Sequence, residues 1–234
     1  MTLPHLPRPL RRLGLSLVLA SAWLPATTVH AADLSGNVTV SLLAPGGTAF
    51  DPTPIALSDT VAVSSAVEFS PGNGTNVGSF MLSNDNLGEL IDFKGHDVYV
   101  RVLQGADNGT TGYLGTGGTP ARYEFSGLTV PGELITGLSY TATDGFGTSV
   151  STGLSNLPAL QAASFIHLTS SHGFVLALDA LQFVDRGTGT SNNYADFKIT
   201  LQTTAVPEPG TLAMSMVGLG LIGLGLRGRA QRAA

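Results

Sequence analysis

Ten short runs that alternate apolar with polar residues, or are rich in β-branched ones, restrict this chain's fold more than any other property. They are Asn37–Leu43, Thr60–Val63, Val67–Phe69, Leu87–Phe93, Val98–Leu103, Arg122–Phe125, Leu134–Thr143, Ala163–Leu168, Phe174–Val184 and Tyr194–Leu201. A period of two places successive side chains on opposite faces of a strand, so each run predicts a half-buried β-strand. Between them stand Asn73-Gly74, Asn108-Gly109, Asp144-Gly145 and the stretch Gly187–Gly189, residue types that accept the positive φ of tight turns. The spacing predicts an all-β body, an antiparallel β-sandwich or jelly-roll-like domain. Phe174–Phe183 is too densely apolar for one-sided burial, which predicts a central strand buried on both faces with a bulge near Asp179; a short helix is the competing reading. Elsewhere a helix is expected only around Pro158–Ala163, where proline can open the first turn. Ala44–Asp59 and Gly105–Thr119, rich in Pro or Gly, are expected to be long loops.

Between residues 32 and 204 there are 15 Asp and Glu against 5 Lys and Arg, a net charge of −10, whereas the whole chain carries −5 because six arginines lie in its two ends. Such a body lacks the basic face that nucleic acid or an anionic membrane needs, so no nucleic-acid partner is expected. There is no cysteine, which excludes disulfides, metal thiolates and cysteine nucleophiles.

At the N-terminus, Arg8, Arg11 and Arg12 precede an apolar stretch from Leu13 to Leu24, and small residues lead to Ala31. This order predicts a signal peptide over 1–31 that addresses the chain to the general secretion machinery; Leu13-Gly14-Leu15 after the arginine pair gives little support to the twin-arginine route. The expected mature body is 32–205.

At the other end, Thr211–Leu226 is 16 residues without a charge. As a helix it would be ~24 Å long, short of a ~30 Å bilayer core, and glycines at 218, 220, 223 and 225 weaken a helix in water. In lipid the backbone has no water to bond, so helix is enforced, and Arg227, Arg229 and Arg232 after the run read as the flank of a membrane anchor on the cytoplasmic side. Pro207 and Pro209 hold the segment before it extended, a form that a processing enzyme can take into a groove as an added strand. Pro207-Glu208-Pro209-Gly210, then a Gly/Leu-rich run, then clustered arginines resembles the PEP-CTERM sorting signal. The resemblance covers 206–234. It implies an exosortase, an integral-membrane cysteine protease of transpeptidase type, as processing partner. It also implies a membrane-anchored precursor, and delivery to the cell surface or exopolysaccharide matrix of a Gram-negative bacterium. The residues by themselves also admit an ordinary single-pass anchor with a Pro-rich linker.

Motifs for chemistry are sparse, and the body is expected not to be an enzyme. Gly-x-Ser-x-Gly is absent. His167 and His172 lack a third ligand for zinc, and surface or turn histidines are the expectation. Glu68, Glu89, Glu124 and Glu133 are scattered and read as solvated strand ends rather than a glycosidase pair. Two clusters are weak calcium candidates: Asn84, Asp85 and Asn86 with Glu89, and Asp185 with Asn192, Asn193 and Asp196; neither has the complete loop spacing, and Asx turns are the ordinary reading. Arg101, Arg122 and Lys198 face outward from strands and should pair with surface carboxylates, contributing under ~1 kcal/mol each. The functional expectation is a structural or adhesive role beside exopolysaccharide. The alternative is a calcium-assisted carbohydrate-binding module, for which Tyr99, Tyr113, Tyr123, Tyr140 and Tyr194 are the stacking candidates, since Trp23 lies in the predicted signal peptide.

Overall fold

The computed structural model describes residues 32–84, 87–106, 109–143, 165–183, 193–206 and 216–218. All belong to the second of the chain's two units, Ala31–Ala234. The expected signal peptide, the helix near Pro158–Ala163, the turns at Asp144-Gly145 and Gly187–Gly189, and nearly all of the tail fall outside these residues.

Eleven strands and one short helix are described: β1 (Asn37–Ala44), β2 (Ile55–Ala62), α1 (Asn76–Phe80), β3 (Ser83–Asn84), β4 (Leu87–Gly88), β5 (Leu90–Lys94), β6 (Asp97–Leu103), β7 (Arg122–Ser126), β8 (Glu133–Thr143), β9 (Ile166–Ser170), β10 (Gly173–Ala177) and β11 (Tyr194–Ala205). They form a five-stranded sheet in the order β2-β1-β7-β10-β9, a four-stranded sheet in the order β5-β6-β11-β8, and a β3-β4 ribbon. Every pairing is antiparallel. The expected all-β architecture is therefore present as two antiparallel sheets.

Alternation puts Val38, Val40 and Leu42 of β1 and Val98, Val100 and Val102 of β6 into one shared core. Burying each such side chain contributes roughly 1.5–3 kcal/mol, which makes the period-two pattern the main folding instruction. Phe93 of the four-stranded sheet meets Phe125 of the five-stranded sheet edge-on, their ring centres 6.3 Å apart, and Phe125 stacks on Phe174 at 4.3 Å. These rings tie the layers together.

Several expectations are corrected. β10 is buried on both faces, as its density of apolar residues demanded, but it ends at Ala177, and the bulge lies between Gly173 and Phe174 rather than near Asp179. A Cβ on Gly173 would sit 2.4 Å from the Phe125 carbonyl oxygen, so only glycine fits that crossing. Ile55–Asp59 was expected in a loop, yet it is the first half of β2, an edge strand with Ile55 alone buried, whose short apolar start Ile55-Ala56-Leu57 follows directly on the Pro-containing stretch Asp51–Pro54. The two expected long loops are zipped together: Gly46 N–H donates to the Leu114 carbonyl at 2.8 Å and Leu114 N–H to that of Gly47 at 2.9 Å.

Val67–Phe69 contributes only a bridge from Phe69 to Ile91, but that bridge shields the edge of β5. Asn73-Gly74 introduces α1 instead of a hairpin; the helix is held by the Thr75 hydroxyl accepting from Gly78 N–H at 2.8 Å and by Asp59 accepting from Val77 N–H at 2.7 Å. The β5–β6 hairpin turns on Gly95-His96, where Gly95 supplies the positive φ of 62°.

Candidate functional site

The outer face of the four-stranded sheet brings together most of the body's cations. Register aligns three rows of outward residues across the strands: Leu90, Arg101 and Asp196; then Asp92, Tyr99, Lys198 and Thr141; then Lys94, Asp97, Thr200 and Ser139. Arg101 donates from Nε and Nη2 to the two oxygens of Asp196 at 2.7 and 2.9 Å and lies 4.7 Å from the ring centre of Tyr194. This fork raises the guanidinium pKa above its ordinary value, through the hydrogen bond first, against the cost of burial. Lys198 pairs with Asp97 at 2.9 Å, and the Thr200 hydroxyl donates to the same carboxylate at 2.6 Å. Lys94 pairs with Asp92. Both ammonium groups stand 6.0 Å from the ring centre of Tyr99, which occupies the middle of the grid.

The grid encloses a shallow concavity of about 460 Å³. At its β5 margin Asp92 is only 4% exposed, and its Oδ1 has no hydrogen-bond partner among the described residues. A buried carboxylate oxygen left unpaired costs on the order of 1–3 kcal/mol, so it marks a place where a donor is missing.

A second polar group lies inside the core. Glu89 accepts from Leu82 N–H at 3.0 Å, Leu103 N–H at 3.3 Å, the Tyr113 hydroxyl at 3.2 Å and the Tyr123 hydroxyl at 3.3 Å. Burial pushes its carboxyl up to about 7, against the pull of these four donors. Burial, and then the charge of Glu89, raises both tyrosines well above their ordinary range. Glu68 is buried too: it accepts from Ser64 N–H at 2.7 Å and from Phe93 N–H at 3.1 Å, fastening the Ser64–Phe69 segment to β5. Neither glutamate is the solvated strand end that the sequence suggested. Glu124 pairs with Arg122 at 3.4 Å, and Glu133 accepts from Thr203.

The calcium candidates are not gathered by the described structure. Asp85 and Asp185, like Asn86 and Asn192, fall outside it; the oxygens of Glu89 point into the core; Asn193 is buried and donates to Gln104 at 2.7 Å; and Asp196 is clamped by Arg101. His167 lies in β9 opposite Val175, while His172 is in the following turn, bonded to the Ser171 hydroxyl at 2.9 Å. Among the described residues, no group of three or more His, Asp or Glu side chains is placed to hold a metal ion.

Sequence reasoning found the ion pairs of Arg101, Arg122 and Lys198 one at a time but missed that two of them share one face with Asp92 and Tyr99. The strand order makes that face, and no local signal reports it.

β11 runs between β6 and β8 and is hydrogen-bonded to its last residue; even Val206 N–H donates to the Gly132 carbonyl at 2.8 Å. The chain thus belongs to the two-sheet antiparallel β proteins, and it leaves its domain from an interior strand straight into Pro207-Glu208-Pro209-Gly210, which lies beyond the described residues, as do Arg227, Arg229 and Arg232. Residues 205–230 match the PEP-CTERM protein-sorting motif, so the chain carries that motif at its C-terminal end, and the motif implies an exported protein processed by an exosortase. No curated protein and no solved structure matches the chain. Among the described residues, no helix is long and apolar enough to cross a membrane.

Proposed function

We propose that this chain is a non-enzymatic surface or extracellular-matrix protein, whose β domain is delivered by its tail and plays a structural or adhesive role in exopolysaccharide. On this reading the N-terminal segment is a signal peptide taken by the secretion machinery. The run after Gly210 anchors the precursor in the inner membrane of a Gram-negative bacterium until an exosortase removes it.

The observation that carries the reading is the junction: the matched motif begins on Ala205, the last residue of β11, so a folded domain is attached to the sorting signal without a spacer. A non-enzymatic role is supported by the state of the acidic side chains. Glu68, Glu89, Glu124 and Glu133 are each engaged in structural hydrogen bonds or ion pairs rather than presented in pairs across a cleft.

Replacing Pro207-Glu208-Pro209 by three alanines is expected to leave a full-length, membrane-held precursor. Intact mass of surface-released wild-type protein should show a C-terminus upstream of Ala234; an untrimmed Ala234 terminus in released wild-type protein would overturn the reading.

Carbohydrate binding is a second reading, favoured by the polar grid around Tyr99. A calcium-assisted form of it would have to recruit its ligands without Glu89 and Asp196, whose oxygens are already taken up.

A further inference from the structure

The cations of the acidic body are unevenly placed. Of the five Lys and Arg between residues 32 and 204, Lys94, Arg101 and Lys198 lie on one sheet face, the two lysines beside Tyr99 and Arg101 against Tyr194. Each is matched by a carboxylate: Asp92, Asp196 and Asp97, respectively. The face is therefore neutral as a whole, although the body carries −10.

That balance selects the ligand. An anion would have to displace a carboxylate from its cation, and a metal ion or amine would have to displace the cation, each against a pair already formed. An uncharged hydroxyl needs neither, because it donates to a carboxylate oxygen and accepts from an ammonium or guanidinium without breaking the pair. Donors and acceptors alternate across strands about 4.8 Å apart, a flat array suited to a ring that carries several hydroxyls. The Tyr99 side chain in the middle offers an apolar surface for the C–H face of such a ring. Asp92 Oδ1 supplies the missing-partner signal. The other oxygen of the same carboxylate, Oδ2, pairs with Lys94, whose side chain is 57% exposed, so Oδ1 takes a donor while that pair stays formed.

We propose that this face binds an uncharged pyranose segment of a polysaccharide, with the sugar ring against Tyr99 and its hydroxyls hydrogen-bonded to Asp92, Arg101 and Lys198. The inference rests on the extracellular reading of the domain and gives that domain its ligand class.

The test is native affinity electrophoresis of the purified full-length chain in mild detergent, through gels containing dextran, galactomannan or alginate. Retardation is expected in at least one of the two neutral gels, unchanged by 0.5 M salt, and not in alginate. Tyr99→Ala should raise the apparent Kd about tenfold. Tyr99→Phe, which keeps the ring, should retain binding and guards against a folding artefact. Asp92→Asn should weaken binding several-fold. Migration unchanged by either neutral polysaccharide would overturn the proposal; so would binding that survives Tyr99→Ala, or capture by alginate alone that disappears in salt. The mass of the released C-terminus reports sorting independently, so failure of the glycan site and failure of the sorting reading are distinguishable.

Discussion

Glu89 shows how far a single residue can depart from its appearance in the sequence. Beside Asn84, Asp85 and Asn86 it looked like the late acidic ligand of a calcium loop, yet its side chain turns inward to Tyr113 and Tyr123. The consequence is a pH dependence of definite sign. Below about 4.5 the carboxyl is protonated in both folded and unfolded chains; between 4.5 and about 7 the unfolded chain releases the proton and the folded one keeps it. Stability therefore falls as pH rises through that window and levels off above it. A shift from 4.5 to about 7 corresponds to about 3 kcal/mol at most. Thermal melts of wild type and Glu89→Gln between pH 4.5 and 8 should converge in slope above pH 7, the variant lacking the wild-type decline below it. Parallel curves would show that the carboxyl does not hold its proton. Nothing in the local sequence reports this, because the tyrosines come from an expected loop and from β7, 24 and 34 positions away.

At the scale of elements, alternation was sufficient for strands that bury one face in the core and insufficient for those at a margin. β1, β6, β7 and β11 stand where the pattern put them, each with alternating buried positions. The early half of β2, Ile55-Ala56-Leu57-Ser58-Asp59, is hidden because it follows directly on the Pro-containing stretch Asp51–Pro54 and its edge position leaves only Ile55 buried. α1 escapes detection because one turn capped by Thr75 has no helical periodicity to display. β10 is recognisable as doubly buried, but its irregularity is governed by a neighbour: the Phe125 carbonyl leaves no space for a side chain at Gly173. Gly173→Ala should therefore destabilise the domain by about 2 kcal/mol in urea unfolding, a cost in the range of overpacked interiors. An effect below ~0.5 kcal/mol would mean that β7 and β10 separate freely at the bulge.

For the whole molecule, the two sheets are joined through rings rather than through disulfides, there being no cysteine to form one. Phe125 touches Phe93 of the opposite sheet and Phe174 of its own, so its loss opens the interface between layers. Phe125→Ala should cost about 3–5 kcal/mol and lower a single unfolding transition seen equally by far-UV and near-UV circular dichroism. Two separate transitions would show that the sheets do not share one cooperative core.

The C-terminal address and the β character of the body were determined by the sequence alone, because both depend on local order: proline geometry, an apolar run with arginines behind it, and period-two burial. The neutral face around Tyr99 was decided only by tertiary structure. Arg101 and Asp196 are 95 positions apart, and they meet because β6 and β11 are neighbours in a sheet whose strand order no local pattern encodes. Burial of Glu68 and Glu89 has the same origin, since a carboxylate's surroundings are set by whichever distant strands pack over it.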